Sequence, residues 1–176
     1  MNYDKLRAFF TVRTIWILLA LWVANNLWMW FGPSGSMTLR QLAGRSEIPD
    51  VMIFGYSVES LNGLLADFGA KGREIYLSFQ YKDFTYPLIY STLLAGLFVR
   101  VKPPRSLLFM VFLPWVAALT DFAENLMLRK IVTDFPVTDA ALIQTASLFT
   151  VTKWSLIFIS VSAILLIKVV NLVRRR

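Results

Sequence analysis

LLFMVFLPWVAALTDFAENLM, Leu107–Met127, decides the fold. At helical rise this run spans the hydrocarbon core of a bilayer, which takes about 20 residues. It ends, however, in Asp121, Glu124 and Asn125, which share one side of a helix because they stand three and four positions apart. Ionisable groups within an apolar span are unfavourable unless they are paired or used. The segment therefore predicts two things together: a membrane helix, and a polar site near one of its ends.

The rest of the chain agrees with the first reading. Of its 176 residues 57% are hydrophobic, 15% aromatic and only 16% charged, and the mean hydropathy is +0.59. An ordinary soluble domain is about half apolar and about a quarter charged. Cysteine and histidine are absent. That excludes disulfides, thiol redox chemistry, haem ligation, histidine-based metal sites and histidine-based nucleophilic triads. The net charge of +7 is expected to mark a cytoplasmic face, not a nucleic-acid partner.

Four spans are predicted, at roughly residues 11–31, 84–101, 107–127 and 141–170, in a single membrane domain. The fold class is therefore all-α: an integral membrane four-helix bundle, with an amphipathic helix in a long first loop over residues 32–83. The first span has a basic start but is too long for a signal-peptide core and lacks a small-residue cleavage site. Trp28, Trp30 and Phe31 form an aromatic belt at its end. In the loop, Val58, Leu61, Leu64, Leu65 and Phe68 share a face, with Ser57 as N-cap and Gly69 as stop. Pro114 is expected to kink the third span, and LRKIVTDFPVTDA is expected to be the loop that follows it.

Orientation follows from basic residues. Lys5, Arg7, Arg13, Arg100, Lys102, Arg105, Lys168 and the terminal Arg174, Arg175 and Arg176 fall on one side, against the single acid Asp4. The positive-inside rule then places both termini in the cytoplasm and the first loop outside, in an inner (cytoplasmic) cell membrane.

With that topology, polar residues from all four spans converge in the outer half of the bilayer. Asp121 and Glu124 are the candidate acid/base pair, with Lys153 of the last span as counter-charge. Asp83, Tyr86, Tyr90, Asn125 and Asn26 are candidate ligand contacts, and so are Tyr76 and Arg73, the latter as a headgroup anchor at the rim. Paired carboxylates can also hold a hard cation. A phosphate would find only Arg73 and Lys153, however, so no metal site and no cofactor are assigned.

Three functions fit these residues. The leading one is binding, or binding and modifying, a lipid-like or amphiphilic small molecule in the outer-leaflet pocket. The second is a non-enzymatic structural or assembly subunit, associated with a protein partner or with itself, whose charges lock the bundle. The third is a proton- or cation-coupled transporter, weakened by the apolar inner halves of the spans.

GREIY at Gly72–Tyr76, DFTYPLIY at Asp83–Tyr90, DFAEN at Asp121–Asn125 and a lysine in the last span also resemble a group of small four-span bacterial membrane proteins with no assigned activity. The resemblance covers Leu6 to about Leu166 and implies a shared topology and polar constellation. A looser resemblance, to the emopamil-binding (EXPERA) group of sterol isomerases and ligand-binding proteins, lacks that group's catalytic histidine.

Overall fold

In the computed structural model, residues 3–44 and 47–174 are described; Arg175 and Arg176 of the basic tail lie outside the described residues. The described chain is helical, with no strand. Three helical runs are long and apolar enough to cross a membrane: Val12–Trp30, Arg105–Asp134 and Ala140–Val173.

Local sequence explains where each helix begins. After the short helix α1 (Tyr3–Phe9), Thr11 caps α2 (Val12–Trp30) by accepting the Thr14 N–H at 3.1 Å. Helix α3 (Ser36–Ala43) ends at Gly44 in the left-handed conformation, and a 3-10 turn at Pro49–Val51 follows. Ser57 caps α4 (Val58–Asp83) through its Oγ and the Ser60 N–H. Gly69, at φ 62° and ψ −177°, breaks α4 into two arms, a conformation essentially restricted to glycine. The first arm is the expected amphipathic helix, with Leu61, Leu64, Leu65 and Phe68 buried.

The second arm leads across Phe84 and Thr85 into α5 (Tyr86–Arg100). Its 15 residues cover only about 22 Å, short of the hydrocarbon thickness, so α5 is not among the three long apolar runs. Pro87 sits in its first turn, where a missing N–H is tolerated.

Residues Arg105–Phe112 form a 3-10 turn that passes into α6 (Leu113–Asp134). Pro114 therefore lies at the start of an α-helix and does not kink one, because its missing N–H falls among the first-turn donors that have no helical acceptor. The stretch expected to be a loop from Leu128 onward is helical to Asp134. Leu128, Ile131 and Val132 bury themselves there among α4 and α7 side chains, and that apolar spacing overrides the charges between them. The true connection is residues 135–139, after which Asp139 caps α7 (Ala140–Val173) by accepting the Ala141 N–H at 2.8 Å.

Helix α6 packs most extensively on α7, α5 packs on α6, and α2 packs chiefly on α5. Helices α2 and α7 approach each other less closely, meeting in one apolar cluster through side chains such as Leu18 and Ile164. Packing is dense at both ends of the molecule. One core joins α3, α4, the C-terminal half of α6 and the start of α7; the other joins Phe10, Phe98, Val99, Ile164 and Ile167. Between them lies a small cluster built on Tyr90, Ala117 and Ala118.

Candidate functional site

A cavity of about 390 Å³ occupies this middle level. Its walls come from α2, α3, the Pro49–Val51 turn, the end of α4, α5, α6 and α7. Chemistry changes along its length. At the level of the α4–α5 junction it is lined by Asp50, Asp83, Asp121, Lys153, Arg40, Tyr86 and Asn26; further along it meets Leu19, Leu93, Leu94, Ile157 and Val161. From Lys153 to Val161 the α7 wall descends about 12 Å. Three of the cavity's lining residues, Trp30, Val51 and Val161, are exposed at the surface.

The floor of the polar end is an ion-pair set. Lys153 Nζ lies 2.9 Å from Asp121 Oδ1 and 2.6 Å from Glu124 Oε2, with all three side chains buried. The Thr150 hydroxyl donates to Glu124 Oε1 at 2.6 Å. The helical spacing of Asp121 and Glu124 points both carboxylates at one residue of the neighbouring helix, so a single ammonium forms an ion pair with two acids and hydrogen-bonds Asp121.

Beside it, Asn125 Nδ2 donates to Asp83 Oδ2 at 2.7 Å, and the Asn125 carbonyl accepts from Gln80 Nε2 at 3.2 Å. On the α2 side the Trp22 indole N–H donates to the Tyr86 hydroxyl at 3.3 Å, and Asn26 Nδ2 returns to the Trp22 carbonyl. Asn25 instead ties α2 to the α4–α5 junction, accepting from the Thr85 hydroxyl at 2.7 Å.

The rim is the segment from Pro49 to Tyr56, and it is held from two sides. The Tyr76 hydroxyl donates to Asp50 Oδ2 at 2.8 Å, and the Trp154 indole N–H donates to the Asp50 carbonyl at 3.1 Å. The Tyr56 N–H donates to Ser147 Oγ at 2.8 Å. Burial raises the Asp50 carboxyl above its ordinary range, opposed by Lys153 and the Tyr76 hydrogen bond. Burial likewise raises the Tyr56 and Tyr76 hydroxyls, and Tyr76 stays protonated as the donor to Asp50.

The sequence-derived residues thus fall into three groups. Asp121, Lys153, Asp83, Tyr86, Tyr90 and Asn26 line the cavity. Glu124, Asn125 and Tyr76 stand behind that wall and hold its acids. Arg73 is elsewhere: it donates to the Leu65 carbonyl at 2.9 Å and stacks over Phe135, bracing the Gly69 break.

Sequence reading did not single out Asp50, Arg40, Trp22 or Trp154. Asp50 carried one faint signal, a lone acid between apolar neighbours in IPDVMIF. Among the described residues, no three acidic side chains are grouped to hold a metal ion. Chemically, the site offers acceptors and donors at one end and an apolar trough at the other. Comparison with family models, curated proteins and solved structures finds no match for the chain.

Proposed function

We propose that this protein is a multi-pass membrane protein that binds a lipid-like or amphiphilic small molecule, polar head among Asp50, Asp83 and Asp121 and tail between α2, α5 and α7. The observation that carries the reading is the graded lining of one cavity, polar at one end and apolar at the other. Ligand pockets combine a mainly apolar lining with a few convergent polar groups, and this volume is in their range. The exposed lining residues Trp30 of α2 and Val161 of α7 support access from the side, past apolar groups suited to a chain arriving from a bilayer.

In this reading α5, continued by the last turns of α4, is the fourth crossing. The basic ends of α1, α5 and α7 face the cytoplasm, and the cavity's polar end faces outward. Asp121, Glu124 and Lys153 form the charged floor.

Gentle purification followed by native mass spectrometry and lipid extraction tests it. Wild-type protein is expected to retain one class of amphiphile, and Leu94→Trp, which fills the apolar trough, is expected to lose it while still folding. Bulk lipid alone, in equal amounts on both proteins, would overturn the proposal.

The second reading, a structural or assembly subunit, is favoured by the double pairing of Lys153, the signature of a clamp. Transport through the bundle finds less support. On the far side of Lys153 Ser91 and Ser160 are buried, and both hydroxyls bond to carbonyls of their own helices.

A further inference from the structure

Among the described residues, three buried polar atoms of cavity-lining side chains have no hydrogen-bond partner: the Tyr90 hydroxyl and two that belong to charged groups, Asp50 Oδ1 and Arg40 Nε. Asp50 is 7% exposed, and its Oδ1 has no hydrogen-bond partner, the other oxygen being taken by Tyr76. Arg40 Nε is also buried and without a partner. Both residues line the cavity, and they are not bonded to each other. A buried acceptor or donor left unsatisfied costs more than a hydrogen bond gains, so such groups are normally matched by something. Lys153, engaged by Asp121 and Glu124, makes no hydrogen bond to Asp50 Oδ1.

From these two atoms we infer, resting on the amphiphile reading above, that the site selects a zwitterionic headgroup: a protonated amine on Asp50 and an acidic group, phosphate or carboxylate, on Arg40. Asp83 and Asp121 on the same wall strengthen the field at the amine position, and their partners, Asn125 Nδ2 and the shared Lys153, leave the wall with more acceptors than cations. A purely anionic head would meet these carboxylates with only Arg40 in its favour. A purely cationic head would leave Arg40 unmatched. The zwitterion satisfies both.

The experiment compares three single-chain amphiphiles of equal tail length on the whole protein in detergent, by titration calorimetry. One carries phosphoethanolamine, one phosphoglycerol, and one is the simple alkylamine. Loss of a charge-assisted hydrogen bond is expected to weaken each truncated head by about tenfold or more. Asp50→Asn should erase the preference for phosphoethanolamine over phosphoglycerol. Arg40→Gln should erase its preference over the alkylamine.

Equal binding of all three would overturn the headgroup inference and leave the amphiphile reading standing. Tightest binding of either truncated head would also overturn it. Failure of all three to bind would remove both. The wild-type series decides the matter even if a variant fails to fold.

Discussion

Lys153 Nζ lies 2.6 Å from Glu124 Oε2, across two helices, with Glu124 fully shielded and Lys153 4% exposed. Neither charge has access to solvent, so each depends on the other. Removing one partner of a buried pair costs about 3–5 kcal/mol. Lys153→Met is therefore expected to lower the melting temperature in detergent sharply, because it strands two carboxylates. Glu124→Gln should do less, since Asp121 still pairs the lysine and the amide can still accept from Thr150. A Lys153→Met protein that melts like wild type would show that the pair does not hold the bundle.

Gly55 holds the rim close to α7. Its φ is +81°, and a Cβ there would stand 2.6 Å from Ser147 Oγ, the acceptor of the Tyr56 N–H. Gly55→Ala is expected to destabilise the protein by about 1–2 kcal/mol from the left-handed backbone alone, and to loosen the rim, read as changed Trp154 fluorescence. Gly63→Ala is the control: nothing lies within 4 Å of its added Cβ, so the helix should gain up to about 1 kcal/mol.

Asp50 gives a pH signature. Burial raises its carboxyl in the folded protein above the ordinary value of 3.8, so the fold holds this proton more tightly than the unfolded chain does. The contribution is complete below the unfolded value and is lost as pH rises through the folded one. Asp50→Asn, which keeps an acceptor for Tyr76, should remove that loss. Melting curves across pH should show the variant gaining on wild type as pH rises. A constant offset would mean that Asp50 is no more easily protonated in the fold than in a peptide.

The absence of cysteine makes topology directly testable. Phe54 in the rim is 91% exposed and Arg105, beyond α5, is exposed too. In intact cells a membrane-impermeant maleimide is expected to label Phe54→Cys and to reach Arg105→Cys only after permeabilisation. The reverse pattern would invert the proposed orientation.

Much of the helix plan was legible because local signals set it. Ser57 is the expected cap and Gly69 the expected breaker, and the apolar runs match α2 and α7 to within a few residues. The Asp121–Glu124–Lys153 set was legible because charge inside an apolar run demands a partner, and few partners existed. The rim was not. Asp50 and Arg40 reach the cavity through the tertiary path of α3 and the Pro49–Val51 turn, and no periodicity encodes that path. Arg73 misled for a related reason. It shares a continuous helical arm with Tyr76, Gln80 and Asp83, but the break at Gly69 turns the Leu65 carbonyl within its reach, and the guanidinium is spent there.

The shortness of the α6–α7 connection bears on biosynthesis. Asp121, Glu124, Thr150 and Lys153 all lie on one helical hairpin whose turn is residues 135–139. Either helix alone would present uncompensated charge to the translocation machinery and insert poorly. Together they form a unit whose buried charges are paired across its own seam before any other helix docks. For a chain that crosses a bilayer, the hairpin can therefore leave the insertion channel as one piece, and α2 and α5 assemble later against a partner that is already electrically settled.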